Sequence, residues 1–306
     1  MDKNFKIWGV SYGLLGDLIM GLPVLTYFEK KYPGSYKYWV IEKKCAYSAF
    51  LYFNQPLIDR IHITGTWTRF SEEDVEIAKA CDVRTNIEHT YKHSRSDWWN
   101  YARQVEETAY LAKIFDLKDV LTEKEMYPKL HRWFDVGLDD NSMNAYKKTN
   151  DQDISIFEKS IAIWPFSTAD HQGKRSPSVE WWRKITPMIC ELGYKVIHFG
   201  YPKDPDILIG SDSYVKLTHL PFFEQVKASL ATTASIGLDS GGMWVMGAYS
   251  HPAIHLMSNW LPNHNRNYFC LEPINKNAIT LFEKNGVDNI RQQVVVEKLE
   301  ELIGKQ

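Results

Sequence analysis

Ile236-Gly237-Leu238-Asp239-Ser240-Gly241-Gly242-Met243-Trp244 decides the reading of this chain. An apolar run, 234–238, stops abruptly in an acid, a hydroxyl and two glycines, and a helix-like run, 243–249, follows. A strand that ends this way delivers a carboxylate and backbone N–H groups to the edge of an open sheet. The first N–H groups of the next helix lack helical acceptors and its dipole is positive there, so the spot favours an anion. It suits a diphosphate, with Asp239 available to a sugar hydroxyl. Asp-Ser-Gly-Gly is equally a plain turn, and the choice rests on the rest of the chain.

The 306 residues suffice for two ordinary domains. With 44% hydrophobic and 24% charged residues, the composition is that of a soluble globular protein. Aromatics reach 14%, which suits stacking on sugar rings or bases as well as ordinary core filling. A net charge of −2 provides no global field for nucleic acid or anionic membrane. Cys45, Cys81, Cys190 and Cys270 show neither metal nor redox spacing, which fits reduced thiols in the cytoplasm. No apolar run reaches a membrane span, and the N-terminus carries no signal-peptide core. The expected location is cytoplasmic, with a peripheral position at the inner membrane face left open.

Strands are expected at 6–10, 36–42 and 58–63, and helices at 17–31, 46–53 and 72–80, with a short strand at 81–84. In the 17–31 helix, Pro23 falls within the first two turns. A long helix is expected at 97–115. A polar stretch, 139–153, divides the chain into domains 1–153 and 154–306. The second domain repeats the alternation, with strands at 160–164, 195–199, 214–217, 235–238 and 253–257. Helices are expected at 178–192, capped by Ser178 and stopped by Gly193, at 222–231 and at 294–303. The fold class is therefore α/β: two Rossmann-like domains, expected to face each other across a cleft, with ligands beyond the carboxyl ends of the strands.

Other constellations sharpen the chemistry. Gly13-Leu14-Leu15-Gly16-Asp17 bends past the end of the first strand and places Asp17 at a helix start. Asp17 is there either a cap or a base for an incoming hydroxyl. Ser167, Thr168, Lys174 and Arg175 occupy the loop 165–177, and hydroxyls with a cation suit phosphate oxygens, although a solvated loop has the same composition. His89 and His93 lack a third ligand, so no metal is expected. G-x-S-x-G and G-x-G-x-x-G are both absent. Lys92, Arg95, Trp98, Trp99, Tyr101 and Arg103 interleave cations with aromatics, a pattern for a sugar or nucleic-acid strand or for a helix with inward-packed rings.

Taken in order, these residues resemble the heptosyltransferase-type glycosyltransferases (glycosyltransferase family 9), whose fold is GT-B. Gly16-Asp17 and Tyr32-Pro33 match the family's opening. Ser167, Thr168 and Lys174-Arg175-Ser176-Pro177 match its Lys-x-Trp-Pro segment, with Ser176 where Trp is usual. Asp239-Ser240-Gly241-Gly242-Met243-Trp244 matches its Asp-Thr-Gly signature, with Trp244 where His is usual. Residues 66–127 match nothing in the family.

The resemblance implies an inverting, metal-independent glycosyltransferase that uses a nucleotide-sugar donor and no cofactor. Asp17 would be its general base, with Gly13 and Gly16 in the acceptor-side loop. Ser167, Thr168, Lys174, Asp239, Ser240, Gly241 and Gly242 would hold the donor and its phosphates, and Leu220 the nucleobase. The acceptor is left open among a glycan, a glycolipid and modified DNA. The alternatives are a DNA-base (hydroxymethyl-pyrimidine) glycosyltransferase and a non-catalytic sugar- or nucleotide-binding module.

Overall fold

A computed structural model describes residues 5–11, 14–65, 70–86, 120–122, 125, 128–135, 154–157, 159–167, 175–208, 210–258 and 277–304. The chain divides into two compact units, Met1–Trp133 and Phe134–Gln306.

In the first unit, β1 (Lys6–Ser11), β2 (Tyr36–Glu42), β3 (Arg60–Thr64) and β4 (Val83–Asn86) form a sheet in the order β3-β2-β1-β4. Every neighbouring pair is parallel, with Lys6 opposite Tyr36 and Ile7 opposite Val83. The order runs outward from β1 and then returns to its other side. Such a reversal opens a crevice at the carboxyl ends of the two strands that flank it, here β1 and β4. Trp8 on β1 and Trp39 on β2, both fully buried, anchor the core.

Two helices, not one, follow β1: α1 (Leu15–Met20) and α2 (Pro23–Lys31). Pro23 has no N–H to continue the hydrogen-bond ladder, so it starts a second helix at the position that best tolerates it. The expected helix at 46–53 is a 3₁₀ segment, Lys43–Tyr52. α3 (Glu72–Lys79) begins with a reciprocal cap: Asp74 N–H donates to Ser71 Oγ at 3.1 Å, and Ser71 N–H to Asp74 Oδ2 at 2.8 Å. The expected helix at 97–115 lies outside the described residues.

The second unit holds a six-stranded parallel sheet of β5 (Ser160–Trp164), β6 (Lys195–His198), β7 (Tyr214–Lys216), β8 (Ala234–Leu238), β9 (Ala253–Ser258) and β10 (Ala278–Glu283). The strand order is β10-β9-β8-β5-β6-β7. β5, β8 and β9 are buried along their whole length, as strands covered on both faces must be. That double burial removes the alternating pattern. β10, on the edge, is a strand that the sequence reading passed over.

Among the described residues this unit also has the helices α4 (Val179–Glu191), α5 (Phe222–Leu230), α6 (Gly241–Ala248) and α7 (Gln292–Ile303). Ser178 caps α4 by accepting Trp181 N–H at 3.2 Å, and Gly193 leaves it with φ +85, a conformation that favours glycine. Trp182 of α4 is fully buried and ties its indole N–H to the carbonyl of Pro165 at 3.2 Å. The order reverses between β5 and β8, so the loop after β5 and the turn after β8 meet at one point of the sheet edge. Among the described residues no helix is long and apolar enough to cross a membrane.

Candidate functional site

Asp239 and Ser240 form the turn between β8 and α6. Ser240 stands at the N-cap in an extended conformation, and its side chain makes no capping bond. The helix therefore starts without the usual side-chain acceptor, leaving its first N–H groups to an anion. Those groups belong to Gly241, Gly242 and Met243.

Glycine is needed at 242 for space, because a Cβ there would lie 2.5 Å from Cε3 of Trp164. A Cβ on Gly237 would lie 2.6 Å from Met243 Cγ and 2.9 Å from the carbonyl oxygen of Trp164. Trp164 cannot easily retreat. Its indole N–H donates to Ser229 Oγ at 3.1 Å, and its ring stacks on Phe199 at 5.4 Å. Gly242→Ala is accordingly expected to cost about 1–3 kcal/mol by overpacking. Calorimetric unfolding that leaves the variant as stable as the parent would contradict this.

The Asp239 side chain is 6% exposed. Oδ1 accepts the indole N–H of Trp244 at 2.9 Å, and Oδ2 lies 3.4 Å from Nη2 of Arg175. Arg175 Nε also donates to the Asp239 carbonyl at 2.6 Å. Behind Trp244, His255 packs edge to face at 5.8 Å, fully buried, and neither of its ring nitrogens has a hydrogen-bond partner among the described residues. Burial holds the His255 imidazole down to about 4, the Asp239 carboxylate opposing and Arg175 adding.

Ser167 lies in the loop after β5 and donates its N–H to Ser176 Oγ at 3.2 Å, closing the neck of that loop. Thr168 and Lys174 lie outside the described residues. Leu220, half-buried, sits further along the same sheet edge. Buried Gln225 holds it there, donating to the carbonyls of Leu220 at 2.8 Å and Gly200 at 3.0 Å and accepting Gly200 N–H at 2.8 Å. Sequence reasoning passed over Gln225 and placed Arg175 in the loop without assigning it a partner. Arg175 was visible beside Lys174, but its partner is 64 positions away in the chain.

In the first unit, Gly16 and Asp17 lie inside α1 and do not precede it, since the helix begins at Leu15. Asp17 Oδ2 accepts the N–H of Leu14 at 2.9 Å, so its carboxylate caps the helix from the third position. Gly13 lies outside the described residues. A second carboxylate, Glu42, ends β2; it is buried, with Lys44 Nζ 2.5 Å from its Oε2. Burial pushes the Cys45 thiol up to about 11, with Lys44 opposing and Glu42 and Asp17 adding. His89, His93 and the 92–103 aromatic and cationic cluster lie outside the described residues.

No protein-family model and no curated protein matches the chain. Solved structures do. A glycosyl transferase family 9 protein from Veillonella parvula superposes with a TM-score of 0.68 at 15% identity, covering 100% of this chain and 99% of that one. The ADP-heptose lipopolysaccharide heptosyltransferase II of E. coli gives 0.66 at 15% identity, covering 98% and 99%. E. coli heptosyltransferase WaaC with ADP gives 0.61 at 13% identity, covering 97% and 100%. With two all-parallel sheets matched over nearly the whole length, the chain has the GT-B fold of the glycosyltransferases that its motifs resemble.

Proposed function

We propose that this chain is a glycosyltransferase that moves a sugar from a nucleotide-diphosphate donor to an acceptor hydroxyl, with inversion and without a metal. The observation that carries the reading is the turn at the strand-order reversal of the second unit. There the N-terminus of α6 opens without a side-chain cap, next to the hydroxyl-bearing loop after β5. Ser240, Gly241 and Gly242 offer N–H groups and a positive dipole to the diphosphate, and Ser167, Thr168 and Lys174 supply hydroxyls and a cation. The fold is shared with a heptosyltransferase whose structure was solved with ADP.

In the reaction the acceptor oxygen attacks the anomeric carbon. The bond from that carbon to the diphosphate breaks, and the nucleoside diphosphate leaves with the electron pair. Asp17 takes the acceptor proton. Fixed donors aimed at the developing charge contribute a few kcal/mol each. Asp239, whose oxygens are held by Trp244 and Arg175, organises the turn.

The test is a thermal-shift screen against ADP-, UDP-, GDP- and dTDP-sugars. A donor at about 100 times its Kd adds ~2.7 kcal/mol, which raises Tm by several degrees. No shift with any of the four would remove the reading. The engaged state of Asp239 favours, as a second reading, a module that binds the nucleotide without transferring sugar. Radiolabelled transfer or donor hydrolysis by the donor that binds excludes that alternative.

A further inference from the structure

The two departures from the family pattern, Ser176 and Trp244, fall in one hydrogen-bonded assembly. Ser176 closes the neck of the loop after β5 by accepting Ser167 N–H. Its neighbour Arg175 reaches the turn after β8 at two points, the Asp239 carbonyl and Oδ2. Trp244, one turn into α6, takes Oδ1. An indole N–H donates only and brings no charge, whereas guanidinium brings a permanent charge in a rigid fork. Asp239 thus becomes the buried acceptor through which a loop and a helix are joined. The side chains of Arg175, Asp239 and Trp244 are all largely buried, so each contact is shielded from competing water.

We propose that Arg175 is a positioning residue for the donor diphosphate: with Asp239 and Trp244 it forms a latch that holds Ser176 and Ser167, at the two ends of the loop after β5, beside the N-terminus of α6. The inference rests on the donor site described above. The diphosphate draws on groups from both segments at once, and Arg175 ties the end of one to the turn of the other. Loss of the latch releases Ser167 and Ser176 from the turn after β8 while the helix N-terminus stays. Donor affinity then falls more than the turnover of bound donor, and KM rises more than kcat drops.

The experiment is a double-mutant cycle read by calorimetric titration with ADP, UDP, GDP and dTDP, on the parent, Arg175→Ala, Trp244→Phe and the combined variant. Arg175→Ala is expected to weaken binding about 10-fold or more, and Trp244→Phe about 5-fold, in the range of lost charge-assisted and neutral hydrogen bonds. Because both act through Asp239, the combined variant is expected to bind like Arg175→Ala alone. Arg175→Lys, which keeps charge but not the fork, is expected to recover only part of the affinity. Independently of any nucleotide, the ¹⁵N indole resonance of Trp244, identified by its disappearance in Trp244→Phe, is expected to shift in Arg175→Ala.

Effects that multiply, full rescue by lysine, or an unmoved indole resonance would overturn the latch. A parent that binds none of the four nucleotides would overturn the donor site and the role of Arg175 in it. The indole resonance reports separately on the latch itself, so the two failures are told apart.

Discussion

Replacing Asp17 with asparagine is expected to lower turnover about 10²–10⁴-fold, the usual worth of a general base, while nucleotide binding persists. Asparagine is the informative substitution because of what the structure shows at α1. Asp17 Oδ2 accepts Leu14 N–H at 2.9 Å, a bond that a side-chain amide oxygen also accepts. Asp17→Asn therefore removes the proton acceptor and keeps the cap. Asp17→Ala removes both, and the lost cap costs roughly 0.5–2 kcal/mol besides. The expected pattern is loss of turnover in both variants, with a lowered Tm only in the alanine variant. Initial rates and nucleotide titration check it together. Turnover that survives in Asp17→Asn sinks the assignment, and parallel loss of nucleotide binding makes Asp17 a structural residue.

The second large effect is acid sensitivity of the second unit. Burial holds the imidazoles of His251 and His255 down to about 4, against about 6.5 in an unfolded chain. Between these values the unfolded chain binds more protons than the folded one, so stability falls as pH falls. The contribution is complete above the unfolded value and is lost as pH drops toward 4, on the order of 3 kcal/mol for each histidine. His198, lowered in the same direction by burial, adds to the slope.

Carboxylates held below their usual range act further down the scale. Glu29, bonded to Lys37, and Asp74, which despite its burial is held down by His62, Ser71 and Thr64, lose their contributions at lower pH. Calorimetry from pH 7.5 to 4.5 is expected to show Tm falling by ~10 °C or more, given about 2–4 °C per kcal/mol for chains of this size class. His255→Phe, which fills the space beside Trp244 without a titrating group, is expected to flatten that slope. A Tm that stays level down to pH 4.5, or a slope unchanged in His255→Phe, contradicts the account.

Most of the architecture was legible because it is local. β1, β2 and β5 are short apolar runs between turn residues. α4 announces itself through Ser178 at one end and Gly193 at the other. Where the reading slipped, a local rule was outweighed or underused. Pro23 split one expected helix into two, because a missing N–H outranks hydrophobic periodicity. β10 was passed over although its run, Ala278 to Phe282, is as apolar as that of β9.

The site divides along the same line. The alternation of strands and helices, the α/β class, and the placement of Asp17 and Asp239 just beyond strand ends follow from the sequence alone, since each depends on a few consecutive residues. What Asp239 touches does not follow from it. Arg175 becomes its partner only because β5 lies beside β8, and strand order is a property of the whole sheet. Trp244 reads as a lost histidine along the chain and as the indole donor to Asp239 in three dimensions. The requirement for glycine at 242 is likewise set by Trp164, which arrives from a different strand. Local propensity decides which elements form, and long-range packing decides which side chains meet, because close packing fixes which acceptors lie within reach of each buried donor.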